Sequence, residues 1–511
     1  MHEDFDLAAR ISRHTLIARA ALAVAALAFA WGVARLALHA ADALADPFGR
    51  DYGEGVVWQQ MLRIIDGTGY APLREFPAFV FNYPPVYHLL TAATASTFGL
   101  DQLFAGRLVS LVSTIIAAVL AGVMTATAIG RGESRRVRAA AGAVTALSFV
   151  TLPLWLTSAL LMQIDMLALA FTMAGLVLVV RAVERPNLAI AAGVLFTIAL
   201  YTRQTSLPAP TATFLILLIA RPRAAWLLLG SAILSSSAAL GLIQATQAPA
   251  FLTNIIFYNL NRIAWDHATK VLLVLLANIV PIALGGIGFA ATMRRLDPRD
   301  WRTWRDRMAR ESGLAASAVV LLMVVIKTLM LPMILKSGAN DNYLIDWFVG
   351  LAILIGIAIV PVIRAATAQP SVPSGVLLLL IGLGLPIQML DPPLVPVPTA
   401  AENLAEMQAL VARVRASDKP VVSDDMVLLR RAGQSVVWEP AMIAELGSAG
   451  VYDQARLAMH VRRGAFGFFV THGERGDLIY DQRFTPIIAD AIDAAYPRRE
   501  RVGPLTLHLP R

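Results

Sequence analysis

The sequence contains no cysteine, and only 15% of its 511 residues are charged. The first absence excludes disulfide bonds, a thiolate nucleophile and zinc sites that use cysteine ligands. The second is well below the roughly 25% that is usual in soluble domains. The chain also lacks a Gly-rich phosphate loop of the Walker type and a His-Glu-x-x-His pair. The common sequence marks of nucleotide hydrolysis and of zinc proteolysis are therefore missing.

Hydrophobic residues make up 57% of the chain, and the mean hydropathy is +0.64. They are concentrated in apolar runs of about 20 residues, the length that crosses a hydrocarbon core of about 30 Å. The formal charge of +8 comes mostly from arginines in short loops between these runs, so it does not indicate nucleic-acid binding. We expect a polytopic α-helical membrane protein. The eleven predicted spans are 18–39, 104–129, 139–158, 163–181, 188–202, 207–220, 226–246, 271–292, 314–335, 343–363 and 374–390.

Arginine-rich and arginine-poor loops alternate along these spans. The N-terminus and the loops after even-numbered spans are rich in arginine, above all residues 293–312, whereas the loops after odd-numbered spans are poor in it. Because positive residues favour the cytoplasmic side, the pattern predicts a cytoplasmic N-terminus. An odd number of spans then places the C-terminus outside. Residues 85–99 are apolar but short, and they fit a span start, a re-entrant segment or an interfacial helix.

The composition changes after the last predicted span, where a proline-rich stretch begins. We expect residues 1–391 to form a transmembrane domain with an outer loop at 40–84. Residues 392–511 are expected to form a small extracytoplasmic α/β domain. The helical period over Ala401–Ala416 and the strand-like run Phe466–Thr471 support this second assignment.

Two carboxylates, Asp51 and Glu54, lie in the hydrophilic loop directly after the first predicted span. Acidic residues at a bilayer surface are rarely placed there for packing. One explanation is a helix N-cap followed by a capping box, since the acids are three residues apart. The other is a general base, because group transfer to a hydroxyl needs a carboxylate that accepts the hydroxyl proton. Both roles use a carboxylate at a helix start, so they can coincide.

This loop resembles the first outer loop of GT-C-fold glycosyltransferases, in particular the bacterial relatives of protein O-mannosyltransferases and of the lipid A aminoarabinose transferase. The resemblance rests on the two acids, a juxtamembrane helix at Val56–Ile65, a Gly-containing turn and the sequence Asn82-Tyr83-Pro84-Pro85. It implies that Asp51 and Glu54 are catalytic and that the donor is a polyprenyl-phosphate sugar. Relatives often have adjacent acids, and some have lysine where this chain has Tyr83. Tyr83 is therefore expected to bind substrate without the phosphate role of that lysine.

Other polar positions at outer span ends fit the same resemblance. Asp165 resembles an acid that relatives carry near the catalytic site, and Tyr201-Thr202-Arg203-Gln204 resembles a Thr-Lys-Gln-type motif. By this resemblance Arg203 and Gln204 bind substrate, and Arg203 suits the lipid phosphate because guanidinium pairs with phosphate through two hydrogen bonds. A helix cap explains Asp165 equally well, and an interfacial arginine that snorkels to the headgroups explains Arg203.

Two further outer loops supply the remaining candidates. Arg262 lies among amides and aromatics that suit a sugar or a phosphate, although a solvated loop with interfacial aromatics has the same composition. Residues 336–346 resemble a Gly…Asn-Tyr…acid element of bacterial GT-C sequences. This resemblance assigns Asn342 and Tyr343 to sugar hydroxyls and Lys336 to phosphate. The alternative is a polar turn that caps the tenth predicted span.

These expectations combine into a glycosyltransferase of the bacterial plasma membrane. It would transfer a sugar from polyprenyl phosphate to an envelope lipid, glycan or protein at the outer face, by inverting displacement. No cofactor is implied except a divalent metal ion, which some relatives use, and no metal ligand is assigned. The expected partners are lipid-linked donor, acceptor and membrane lipid, and no nucleic acid. A transporter or flippase of a lipid-linked substrate would instead place ionisable residues at mid-span. A non-catalytic envelope assembly protein is a third possibility.

Overall fold

The structure is a computed structural model that describes residues 2–73, 76–152, 156–367 and 400–511. Apolar α-helices dominate the first three ranges, because only structures that satisfy their own backbone hydrogen bonds are stable in lipid. In chain order these helices are α1 (His2–Ala45), α2 (Tyr52–Ile65), α3 (Val86–Phe98), α4 (Gln102–Ile129), α5 (Arg135–Val150), α6 (Leu156–Leu160), α7 (Asp165–Ala182), α8 (Leu188–Leu200), α9 (Pro208–Ala220), α10 (Pro222–Thr246), α11 (Phe251–Ile255), α12 (Ala268–Ala277), α13 (Ile279–Leu296), α14 (Trp304–Arg310), α15 (Ser312–Met330), α16 (Ile345–Ala358) and α17 (Val360–Ala366).

Seven helical segments of the described ranges are long and apolar enough to cross a membrane. They are Ser12–Ala45, Gln102–Ile129, Asp165–Ala182, Pro222–Thr246, Ile279–Leu296, Ser312–Leu335 and Asp341–Ala366. The helices α8, α9 and α12 are apolar but shorter. The predicted span at 374–390 lies outside the described residues. The prediction of a multi-pass helical protein is confirmed, and the count of eleven spans remains a prediction.

Several predicted boundaries move in the structure. The span predicted at 139–158 corresponds to α5, which ends at Val150, and to the first residues of the short helix α6. Helix α5 begins earlier than predicted, after the N-cap Ser134, whose hydroxyl accepts from the Val137 N–H at 3.3 Å. Residues 85–99 form the 13-residue helix α3. This helix is short for a bilayer crossing, which needs about 20 residues, and it ends at Gly99 with φ of 62°.

The long helices separate two chemically different regions. One end of the bundle, here called the site end, holds Asp165 at the start of α7, Asp346 at the start of α16 and Lys327 in the last turn of α15. The opposite ends of α4, α7 and α17 hold the arginines 131–138, 181–185 and 364, and we call this the arginine end. A helix rises about 1.5 Å per residue, so the two ends lie about 25–40 Å apart. The arginine-rich loops and the polar candidate residues therefore lie at opposite ends of the bundle, while the membrane side of each end stays a prediction.

The C-terminal range contains a four-stranded sheet in the order β1-β2-β4-β3. Its first two strands are parallel, with Val422 opposite Phe469, and the other pairs are antiparallel. The strands are β1 (Val422–Ser423), β2 (Phe469–His472), β3 (Arg498–Val502) and β4 (Leu505–Leu509). The helices are α18 (Ala400–Arg415), α19 (Met426–Arg431), α20 (Pro440–Ser448), α21 (Gln454–Arg462), α22 (Leu478–Arg483) and α23 (Pro486–Ala495). This confirms the predicted small α/β fold near the C-terminus.

The segment 40–84, which contains α2, and the C-terminal sheet share one hydrophobic core. Val56 and Phe81 from the loop belong to the same buried cluster as Met426, Leu428 and Val470 from the sheet region. A backbone hydrogen bond of 2.8 Å from the N–H of Ala78 to the carbonyl of Val437 adds a polar link. This packing fixes the position of α2, and with it the two acids at its start.

Candidate functional site

Asp51 is the N-cap of α2 and remains exposed. Its Oδ1 accepts hydrogen bonds from the Gly53 N–H at 2.8 Å and from Gln163 Nε2 at 2.9 Å. Protein atoms packed around the carboxyl reduce its hydration, and this raises the pKa of Asp51 above its usual range, with a further contribution from the charge of Glu54. The Gly53 N–H opposes the shift. Asp51 is therefore a positioned and accessible carboxylate with increased proton affinity.

Glu54 has a different environment and is completely buried. Arg107 binds it through two hydrogen bonds, Nε to Oε1 and Nη2 to Oε2, both 2.7 Å long. The backbone N–H groups of Met162 and Arg50 each donate a further bond of 2.9 Å. A capping box would require a bond to the N–H of Asp51, and Glu54 instead uses that of Arg50. These four donors occupy the carboxylate, so Glu54 anchors α2 to α4.

A buried cluster of two cations and two acids lies at the site end. Arg203 Nε is 3.2 Å from Asp165 Oδ1, and Arg203 Nη1 is 3.6 Å from Asp346 Oδ2. Lys327 Nζ is 3.1 Å from the same Asp346 oxygen. All four side chains are buried. The formal charges cancel, and each buried charge has a partner, as a low-dielectric environment requires.

Asn342 and Tyr343 complete this cluster. Asn342 Nδ2 donates to Asp165 Oδ1 at 3.2 Å, and the backbone carbonyl of Asn342 accepts from Arg203 Nη2 at 3.0 Å. The guanidinium carbon of Arg203 lies 5.8 Å from the centre of the Tyr343 ring, within the range of cation–π attraction. Both residues are half-buried. The structure thus brings Asp165, Arg203, Asn342 and Tyr343 together.

Tyr83 lies within electrostatic range of both the cluster and Asp51. Burial raises the pKa of the Tyr83 hydroxyl, the negative charges of Asp165 and Asp51 raise it further, and the charge of Arg203 opposes them. The neighbouring Asn82 carbonyl accepts from Gln204 Nε2 at 2.9 Å. A second connection is the segment 163–165, in which Gln163 binds Asp51 and Asp165, two residues later, binds Arg203. The two halves of the site are therefore held by one short segment.

Lys336 and Arg262 lie in two loops that pair with each other through an antiparallel bridge between Ile263 and Lys336. Lys336 Nζ donates to the Asn259 carbonyl at 2.6 Å. Asn259 Nδ2 in turn lies 3.5 Å from the Asn82 carbonyl, next to Tyr83. Arg262 is exposed, and within the described part of the chain its side chain has no ion-pair partner. These two cations are less neutralised than Arg203.

The C-terminal sheet region also contacts the start of α2. The guanidinium carbon of Arg483 lies 4.5 Å from the ring centre of Tyr52, and the Tyr52 hydroxyl donates to Glu439. Arg483 Nη1 is 2.6 Å from the buried Asp424, which also accepts from His472 Nδ1 at 2.9 Å. The positive charge of Arg483 lowers the pKa of the adjacent Asp51, against the stronger effect of burial.

The sequence prediction did not assign roles to Arg107, Lys327, Asp346 and Arg483. Lys327 carried a usable signal, because an ionisable residue inside an apolar span is rarely without function. Asp346 belongs to the 336–346 element, and Arg107 lies near the start of a predicted span. Their roles could not be predicted, because their partners are distant in sequence. Arg483 lies in a short helix of the C-terminal region with no local pattern that distinguishes it.

The residues of the site do not match a metal centre. Within the described ranges no three His, Cys, Asp or Glu side chains are grouped so as to hold a metal ion. Glu54 is occupied by Arg107, and Asp165 and Asp346 are occupied by Arg203 and Lys327.

Comparison with solved structures identifies the fold. No family model and no curated protein matches the sequence. ArnT from Cupriavidus metallidurans bound to undecaprenyl phosphate is similar over 95% of this chain and 96% of its own, with a TM-score of 0.55 and 14% identity. The Archaeoglobus fulgidus oligosaccharyltransferase in complex with Zn and sulfate is similar over 88% of this chain and 68% of its own, with a TM-score of 0.52 and 11% identity. The chain therefore has the GT-C fold of these membrane glycosyltransferases, as its sequence predicts.

Proposed function

We propose that this protein transfers a sugar from a polyprenyl-phosphate donor to a hydroxyl of an envelope lipid, glycan or protein. The observation that carries the proposal is the accessible Asp51 carboxylate, which one short segment connects to the Arg203 cluster. The shared fold with ArnT, whose structure contains undecaprenyl phosphate, supports the class of donor. Together these features provide a base and a polar site for sugar and phosphate at the same end of the bundle.

Asp51 acts as the general base. The acceptor oxygen forms a bond to the anomeric carbon while the bond from that carbon to the phosphate oxygen breaks, which inverts the configuration. The acceptor proton passes to Asp51, and the carrier leaves as polyprenyl phosphate with both bonding electrons. A raised pKa suits this task, since a more basic carboxylate takes the acceptor proton more readily.

Lys336 and Arg262 bind the donor phosphate. The departing phosphate gains negative charge, and positioned cations stabilise that charge in the transition state. Arg203 is already neutralised by Asp165 and Asp346, so its main role is to hold the site together. The assignment of phosphate binding thus narrows from three basic residues to two.

Polar atoms around Tyr83 bind the sugar. The side-chain oxygens of Asn82, Gln204 and Asn342 are buried and have no hydrogen-bond partner among the described residues. Unpaired buried acceptors are costly, and sugar hydroxyls are donors that fit them. Tyr83 and Tyr343 offer hydroxyls and ring faces beside these three oxygens.

A transporter or flippase is the alternative function. Substrate and ion sites in transporters usually lie near the bilayer midplane. Here both buried acids occur at helix ends, since Asp165 and Asp346 are first and second in their helices, and Lys327 pairs with Asp346 from within the apolar segment Ser312–Leu335. Their position favours an enzyme that works at one membrane surface.

Mass spectrometry of envelope lipids and glycans from cells with and without the protein tests the function. A sugar-bearing component that is present only with the protein is the expected result. Reporter fusions test the membrane side: a periplasmic-active reporter should be active after Arg511 and silent after Arg299. Unchanged envelope components would refute the enzyme, and reversed reporter activity would refute the outer location of its site.

A further inference from the structure

A cavity of about 1310 Å³ opens at the arginine end, far from the proposed catalytic site. Seven arginines and three glutamates line it, which gives a formal excess of four positive charges. The arginines are Arg131, Arg138, Arg181, Arg185, Arg295, Arg310 and Arg364, and the glutamates are Glu133, Glu184 and Glu311. The chemistry of glycosyl transfer proposed above uses none of these residues.

The positive charges are only partly neutralised within the cavity. Arg364 pairs with Glu133, and Arg131 lies 3.5 Å from Glu184 in an exposed pair. Among the described residues, no carboxylate pairs with Arg138, Arg181 or Arg185. The Nε of Arg138 is buried and has no hydrogen-bond partner in the described part of the chain. A buried guanidinium N–H without an acceptor calls for an anion.

The start of α15 adds to the positive electrostatic potential of the cavity. Ser312 and Gly313, its first two residues, line the cavity. The first N–H groups of a helix have no partner within the helix, and they carry a partial positive charge that attracts anions. Both side-chain and backbone donors of the cavity therefore favour a negatively charged group such as a phosphate.

Part of the cavity wall is apolar. Val177, Leu178 and Val180 of α7 face the same space as Ile357 and Val360 of the helix pair α16–α17. A free phosphate ion would leave this wall without an apolar partner, and the cavity is larger than the 300–1,000 Å³ typical of drug-sized ligands. The combination of a basic rim and an apolar wall matches a phospholipid, whose phosphate and acyl chain need both.

We propose that this cavity binds the headgroup and upper acyl chain of an anionic phospholipid of the surrounding bilayer. The phosphate meets Arg138, Arg181 and Arg185, and the acyl chain lies along Leu178 and its apolar neighbours. Basic pockets between membrane helices are known to bind anionic headgroups. The occupant joins the ends of α4, α5, α7, α15 and α17, whose relative positions also define the site at the other end of the bundle.

Lipid binding to the purified protein in detergent tests the proposal independently of transfer activity. The probe is phosphatidylglycerol, with phosphatidylcholine as the neutral headgroup and inorganic phosphate as competitor. The variant R138Q/R181Q/R185Q should bind phosphatidylglycerol on the order of 100-fold more weakly, since each basic residue near an anionic headgroup contributes about fivefold. The matched control R294Q/R299Q/R305Q removes the same charge from exposed arginines of the 293–312 loop that do not line the cavity. It should keep parental affinity.

A second variant separates lipid from free phosphate and remains informative if the triple variant fails to fold. L178W keeps every arginine and fills the apolar wall, so it should weaken phosphatidylglycerol binding and leave inorganic phosphate binding unchanged. Equal loss in the cavity and control triple variants would overturn the site, because general surface charge would then explain the binding. Full lipid affinity in L178W, or complete displacement of lipid by millimolar phosphate, would overturn the phospholipid as occupant.

Discussion

The substitution D51N distinguishes a catalytic role of Asp51 from its structural role as the N-cap of α2. The Asn Oδ1 can accept the same bonds from the Gly53 N–H and from Gln163, and Asn and Asp are almost equal as N-caps. Stability should therefore change by only a few tenths of a kcal/mol. Loss of the general base should lower the transfer rate by about 10²–10⁴-fold, which corresponds to a barrier increase of about 3–5 kcal/mol.

The second acid should show the opposite behaviour. Gln at Glu54 removes one partner of a buried, doubly hydrogen-bonded pair and leaves the charge of Arg107 unpaired. Breaking such a pair typically costs about 3–5 kcal/mol. We expect E54Q to lower the thermal unfolding temperature of the purified protein clearly, and D51N to leave it nearly unchanged.

The assay compares membranes from cells that contain equal amounts of each variant, with the modified envelope component quantified by mass spectrometry. D453N is a matched control, since Asp453 caps α21 by accepting a bond of 3.0 Å from the Ala455 N–H, and its other described partner is Arg456 of the same helix. It should behave like the parent in both measurements. Parental product levels with D51N at equal protein amounts would refute Asp51 as the base.

Two further predictions concern phosphate binding and pH. K336Q and R262Q should each weaken binding of polyprenyl phosphate to the purified protein by about 10-fold or more, since charge-assisted bonds are about twice as strong as neutral ones. R203Q should chiefly lower the stability of the protein. Unchanged lipid affinity in both K336Q and R262Q would place the phosphate elsewhere. Burial raises the pKa of Glu439 to about 7, although the bond from Tyr52 opposes this, and the usual value is 4.5. The folded state binds this proton more tightly than the unfolded state does. The contribution of Glu439 to the free energy of unfolding should therefore be complete below pH 4.5, and it should fall by about 3 kcal/mol as the pH rises through 7. Thermal unfolding between pH 5 and 8 should show this decline in the parent and a flatter profile in E439Q, and identical profiles would contradict the assignment.

The sequence pattern predicted the elements of this fold better than their contacts. Apolar runs located α4, α7 and α15 because the length of a span is a local property of the chain. The strand β3 was missed, since Arg498–Arg501 is a run of charged residues, and such a run is typical of a loop as much as of a sheet edge. Edge strands tolerate charge because one side of their backbone faces solvent, and this context is absent from the local sequence.

In the candidate site, too, the residues could be predicted from the sequence, whereas their contacts could not. The acids Asp51 and Glu54 were predicted together, but their roles depend on partners that lie far along the chain. Arg107 is 53 residues from Glu54, and Gln163 is 112 residues from Asp51. One sequence without an alignment contains no signal for such pairs. Their identity follows from helix packing, which depends on the whole transmembrane region.

The shared core of the outer loop and the C-terminal sheet has a consequence for biogenesis. Residues such as Val56 and Phe81 emerge early in synthesis, whereas Met426 and Val470, which cover them, emerge last. Until the C-terminal sheet region has been synthesised and has packed, the loop lacks its apolar cover and α2 lacks the contact from Arg483. We therefore expect the start of α2, and Asp51 with it, to reach its final arrangement only after the C-terminal sheet has packed against it. Protease sensitivity of the outer loop in a chain that ends at residue 399 would make this order of assembly visible.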